Sequence, residues 1–257
     1  MATEAIQPNP ATRVRPLYRP VNRGLERGFF AFMAVLLCAV VFIGFAPTYF
    51  RAGVIHAPLP SPILHYHGAV FTLWMALFVV QTALISARRV AWHRSFGIVA
   101  FCLPPIMIVL GVLAALDALA RGVRIGPLDP FVSLSIPLIG IVWFTVLIYQ
   151  AWSTRRRPDA HKRLVLLATI ALCDAALGRF PWDRIGLAPA AGAVVGLAIL
   201  IVPVVIYDLV ALHRVHRTTM WAAPITLAVG AFSVPIGMTP AWHSFAGFLL
   251  THVAHRF

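Results

Sequence analysis

The sequence predicts an all-α fold, a polytopic membrane helix bundle with seven transmembrane helices. Two observations predict it. Long apolar stretches alternate with short connections, most of them near the ~20 residues a helix needs to cross a ~30 Å hydrocarbon layer. Arginine, in turn, crowds into every second connection. Composition agrees, because 60% of the residues are hydrophobic and 11% charged, more apolar surface than a water-soluble domain of this size could bury.

Taken in order, residues 1–28 hold five arginines, several prolines and little apolar content, which predicts a disordered basic arm. The first apolar stretch, Phe29 to Phe50, is full length and follows no small-residue cleavage site, so it reads as an uncleaved signal anchor. The second, Ile63 to Ala87, has Ser61 to cap it and Pro62 for its first turn. The third, Ser95 to Ala118, contains Pro104-Pro105, and the fourth, Phe131 to Trp152, contains Pro137. Such prolines bend or loosen a helix and can open cavities. The fifth runs from Arg163 to Gly178. The sixth, Leu187 to Leu212, opens on Ala188, Ala190, Ala191, Gly192, Ala193 and Gly196, small residues that permit close helix approach or leave space for a ligand. The seventh, Met220 to Met238, completes a transmembrane domain over 29–238. Thr239-Pro240 then starts a C-terminal segment, 239–257, read as an interfacial helix. A short eighth crossing is the alternative.

Charge orients the bundle. Of 21 Lys and Arg, 15 fall on the side that holds the N-terminus, in connections such as Arg88-Arg89, Arg155-Arg156-Arg157 and Arg214 to Arg217. The other side holds Arg51, Arg121, Arg124, Arg179, Arg184 and Arg256. The positive-inside bias makes the N-terminus cytoplasmic in a multi-pass protein of the bacterial inner membrane. The net charge of +13 is then a topology signal and an attraction to anionic headgroups, so the lipid bilayer is the expected partner and nucleic acid is not.

Several chemistries are excluded or disfavoured. The cysteines Cys38, Cys102 and Cys173 lie in three different stretches with no metal-ligand spacing. Lys162 is the only lysine and opens the fifth stretch, so no buried lysine is placed for a retinal Schiff base. G-x-S-x-G, G-x-x-x-x-G-K and H-E-x-x-H are absent.

Ionisable residues within the apolar stretches are the default pointers to function. Asp174 lies two-thirds of the way along the fifth stretch, with Arg179 five residues on. His67, Trp74 and Gln81 recur at intervals of seven and form one stripe on the second. Two readings compete for the outer half. His67 and Asp174 are structural hydrogen-bond partners, or His67, Trp74, Asp174 and Arg179 line an outward ligand cavity, with His67, Asp174 and His243 as metal ligands in one version. At the cytoplasmic rim, His93, His161 and His213 come from three helices at one depth. Their bland reading is interfacial, with basic neighbours such as Lys162 and Arg163 snorkelling to phosphates and Asp208 one turn inside. Their sharper reading is an axial pair for haem b.

The segments Ala91-Trp92-His93-Arg94-Ser95-Phe96-Gly97 and His161-Lys162-Arg163-Leu164-Val165-Leu166-Leu167-Ala168-Thr169 resemble those of uncharacterised bacterial multi-pass membrane proteins. The His-Arg-x-x-Gly element also resembles helix starts in cytochrome b561-type proteins, a resemblance that implies haem. The leading expectation is a haem-binding electron-transfer protein held by two of His93, His161 and His213. The alternatives are a small-molecule or ion binding and transport protein, or a non-catalytic subunit that packs on a membrane-protein partner or on its own copies.

Overall fold

Polar caps and prolines cut the apolar sequence into rods. The computed structural model describes residues 22–50 and 61–253, and every regular element among them is helical. Asn22 starts α1 (Arg23–Phe45) by accepting the N–H groups of Gly24 at 2.9 Å and Leu25 at 3.2 Å. The helix continues into a π turn over Ala46–Phe50. Residues 23–28, expected in the basic arm, are therefore the first turns of α1, and 1–21 lie outside the described residues, as do Arg51 and Arg256. Ser61 and Pro62 open α2 (Pro62–Ser86) as expected.

The third stretch divides into α3 (Val90–Ala100) and α4 (Leu103–Ala120), parted just ahead of Pro104-Pro105, where proline suits a first turn but not a helix interior. Asp129 caps α5 (Pro130–Ser153). Then come α6 (Pro158–Leu172) and α7 (Asp174–Leu177), a 3-10 turn over Trp182–Ile185, α8 (Pro189–Leu212), α9 (Arg217–Gly237) and α10 (Pro240–His252). With α3 and α4 taken as one rod, 6 helices among the described residues are long and apolar enough to cross a membrane.

That is one fewer than the seven expected, and the missing one is the fifth stretch. Its helix α6 has 15 residues and ends at Cys173. There the Cys173 N–H turns to the Ile170 carbonyl at 2.9 Å while its Sγ takes the Thr169 carbonyl at 3.4 Å. The α-helical ladder tightens, and a separate turn, α7, resumes at Asp174. Packing explains why so short a helix suffices. The long rods form a ring in which α1 packs on α2, α2 on α4, α4 on α5, α5 on α9, α9 on α8 and α8 on α1. Inside it α6 meets α5, α8 and α9, so that Leu164, Leu166, Leu167, Ala168, Thr169 and Ile170 are all buried. The outer faces are apolar, with Phe32, Val35, Val142, Ile199, Val202 and Ile206 exposed, a surface compatible with hydrocarbon. On the outside of the ring α10 lies along α4 and α5, burying Ala246 against a cluster with Leu116, Leu119 and Leu134.

The arginine-rich rim is held by charge as well as packing. Arg163 is 1% exposed and does not snorkel to the surface. Its guanidinium is clasped by Asp208 of α8, with Nε donating at 2.9 Å and Nη2 closer still, and its Nη1 donates to the Asp159 carbonyl at 2.8 Å. The second Asp208 oxygen accepts the His216 N–H at 3.0 Å. His216 caps α9 by accepting the Thr218 N–H on Nδ1, which puts its ring proton on Nε2, 3.1 Å from the Asp159 carboxylate. Lys162 reaches Glu26 on α1 at 2.8 Å. Four helices thereby meet in one network.

Partial burial works against ionisation of Asp159, but the His216 ring and backbone N–H groups outweigh it and hold the carboxyl below its ordinary value. A depressed folded-state pKa stabilises above the unfolded value and loses that contribution as pH falls through the folded one. Because the side chain is 62% exposed, Asp159→Asn is expected to cost under about 0.5 kcal/mol at neutral pH. The difference should vanish as pH falls through the lowered folded-state value, in thermal melts of both proteins.

Candidate functional site

Two places bring polar groups together, one at the arginine-rich rim and one inside the ring. At the rim, His161 in the first turns of α6 places Nδ1 2.9 Å from the Ala151 carbonyl at the end of α5, with Phe101 ring to ring at 6.0 Å. His93 on α3 meets Gln81 on α2, which donates to His93 Nδ1 at 2.6 Å and accepts the Gly97 N–H at 3.1 Å. His213 stands apart in role: it ends α8 in the left-handed conformation, φ 53°, with its side chain exposed.

The residues expected to share an outer cavity are distributed among different contacts. Trp74 is buried and donates to Thr169 Oγ1 at 3.3 Å, tying α2 to the central helix. His67 stacks on Phe71 at 4.1 Å, and its buried Nδ1 has no hydrogen-bond partner among the described residues. Arg179 lies over the Phe45 ring at 4.4 Å and donates to the Ala175 carbonyl. His243 on α10 sits edge-on to Phe131. Among the described residues no group of three or more His, Cys, Asp or Glu side chains could hold a metal ion, so His67, Asp174 and His243 are not gathered into one centre.

Asp174 faces elsewhere. At the break between α6 and α7 it lines a cavity of about 20 Å³ with Gly140 and Trp143 of α5, Leu197 of α8, and Thr226, Gly230 and Ser233 of α9. That is room for one water molecule. Trp143 Nε1 donates to Thr226 Oγ1 at 2.9 Å, and Thr226 and Ser233 each donate back to their own helix. These hydroxyls are therefore satisfied, while among the described residues neither a hydrogen bond nor an opposite charge meets the Asp174 carboxylate. This contrasts with Asp117, which Arg121 grips at 2.7 and 2.9 Å, and with Asp208.

Gly230 borders a second, larger space. A cleft of about 440 Å³ opens between the first turns of α8 and the last turns of α9, lined by Ile125, Leu128, Ala191, Val194, Val234 and Pro235 among others. The run of small residues at the start of α8 thus leaves space on this side. On another side it permits close approach, since the Trp182 ring occupies the place a Gly192 side chain would need. The two spaces adjoin at Gly230, where an added Cβ would meet Val194 at 3.3 Å and Leu197 at 3.4 Å.

The sequence reading passed over the hydroxyl residues of α9 that line the Asp174 cavity. A signal for them exists: Thr219, Thr226 and Ser233 recur at intervals of seven and are all buried, the same spacing that marks His67, Trp74 and Gln81. No protein-family model, curated protein or solved structure matches the chain.

Proposed function

We propose that this chain binds and moves a small molecule or ion at the break in its central helix. The observation that carries the reading is the Asp174 carboxylate, unpaired among the described residues and facing a water-sized cavity that adjoins an open apolar cleft. An ionisable group in a membrane interior is costly and persists where it does work, and interrupted helices are where transporters hold their cargo. On this reading α6 and α7 together make the seventh crossing. The excess of Lys and Arg on the N-terminal side supports our reading of a cytoplasmic N-terminus, and we take the membrane to be the inner membrane of a bacterium.

The test is chemical. Dicyclohexylcarbodiimide is an apolar reagent that couples to carboxyl groups in apolar surroundings. Intact-mass analysis of the purified protein is expected to show one adduct, mapped to Asp174, absent from Asp174→Asn and suppressed by Gly230→Leu. Asp117 and Asp208 are engaged by arginine and should stay unmodified. Absence of labelling at Asp174 would refute an accessible site.

His161 favours a second reading, a haem b at the rim. Hydrogen bonding of Nδ1 to a backbone carbonyl, as with Ala151, is how axial imidazoles are commonly oriented, leaving Nε2 for iron. His93 fits less well, because donation from Gln81 puts its own proton on Nε2. Haem there would require the Gln81 amide to turn round. Under this reading a dithionite-reduced spectrum of purified protein has sharp b-type bands that His161→Ala abolishes. A featureless spectrum removes it.

A further inference from the structure

The cleft and the carboxylate together specify a ligand more narrowly than either does alone. The cleft walls are aliphatic, from Ile125, Pro127 and Leu128 ahead of α5, the Ala188 to Val194 segment of α8 and Ala231, Val234 and Pro235 of α9. At about 440 Å³ the space lies within the range of small-molecule sites. Its inner end adjoins the cavity of Asp174, whose neighbours Thr226 and Ser233 already spend their hydroxyl protons on the Ala222 and Val229 carbonyls. Those side chains therefore leave the carboxylate without a donor, and the basic residue nearest to it in sequence, Arg179, is engaged at Phe45 and Ala175.

A half-buried carboxylate that meets no partner among the described residues calls for a cation, and an aliphatic approach calls for an apolar body behind it. Building on the reading of Asp174 as the binding site, we propose that the ligand class is a lipophilic amine, its ammonium paired with Asp174 and its hydrocarbon portion in the α8–α9 cleft. Gly230 lines both spaces, and a large side chain there would fill the place where they adjoin. The exposed arginines Arg124 and Arg184 at that rim are in solvent and screened, so they do not set the preference.

Calorimetry on the full chain in detergent, with three probes of one shape, tests this: 1-adamantylamine, 1-adamantanol and adamantane-1-carboxylate. The amine is expected to bind about tenfold to a hundredfold tighter than the alcohol, the worth of one charge-assisted hydrogen bond, and the carboxylate more weakly than either. Asp174→Asn should bring the amine down to the level of the alcohol, and Gly230→Leu should abolish both. Equal binding of amine and alcohol to the unaltered protein, still lost in Gly230→Leu, would overturn the amine class and leave the cleft as a site. If none of the three binds, the amine class and the binding reading beneath it both fall. The comparison of probes on the unaltered chain decides the matter even if a variant fails to fold.

Discussion

Replacing Asp208 by alanine is expected to destabilise the protein by about 3–5 kcal/mol, the largest single-residue effect at the arginine-rich rim. Arg163 is the largest fully buried side chain, and Asp208 has 0% exposure. Removing the carboxylate leaves a guanidinium that is 1% exposed with one remaining acceptor among the described residues, the Asp159 carbonyl. It also deprives the His216 N–H of its acceptor at the start of α9. Arg163→Ala should cost a similar amount for the complementary reason. The paired replacement Arg163→Met with Asp208→Leu should cost clearly less than either single change, because it removes both charges and fills the space. Unfolding in mixed micelles, followed by circular dichroism, measures all of these. A loss below about 1 kcal/mol for Asp208→Ala would mean that water or lipid phosphate reaches Arg163, and the buried clasp would be wrong.

This pair also marks where sequence reasoning stops. Hydropathy was enough to place six of the rods, and the caps Ser61 and Thr239 lie where the sequence suggests, whereas the Asp129 cap was not read from it. Hydropathy cannot tell a helix bathed in lipid from one enclosed by other helices, since both are apolar all round. That is why the Arg163 to Gly178 stretch reads as one more span, yet folds as a short central helix with a break. The same blindness turned Arg163 outward in the sequence reading: beside Lys162 at a helix start it reads as an interfacial cation, and only its neighbours in space distinguish burial from snorkelling. Asp208, one turn inside an apolar run, was the clue that a cation had to join it.

Asp174 and Asp208 show how identical residues at comparable positions take opposite roles. Both lie in apolar stretches, Asp208 inside the continuous α8 and Asp174 at the start of α7. Asp208 receives three donors from Arg163 and His216, which fixes the helix ends. Asp174 receives none among the described residues and borders empty space. The sequence reading set Asp174 beside His67, Trp74 and Arg179, whereas most of the residues that line its cavity come from α5, α8 and α9. A position along a helix is legible from sequence, whereas the direction a side chain takes at a helix break is not, because the break resets the 100° step on which such assignments rest.

The geometry of that break depends on a single absent methyl group, and Gly44→Ala is expected to cost about 1–3 kcal/mol. A Cβ on Gly44 would lie 2.8 Å from the carbonyl carbon and 2.9 Å from the Cα of Ala176, with the carbonyl oxygen nearer still. All three are backbone atoms of α7, so no rotamer change relieves the clash, and α1 and α7 must separate. Small residues serve membrane helix packing in this way, by letting backbones touch. Gly28, on the same helix, is the control: a Cβ there meets nothing within 4 Å. Gly28→Ala should therefore be neutral or stabilise by up to about 1 kcal/mol through helix propensity. Because Ala176 is two residues beyond Asp174, displacing α7 should also lower carbodiimide labelling of Asp174 in Gly44→Ala, while Gly28→Ala labels normally. If Gly44→Ala melts and labels like the unaltered protein, α1 does not brace α7, and the position of Asp174 must be set by the α8 side, where Leu177 packs against Gly196.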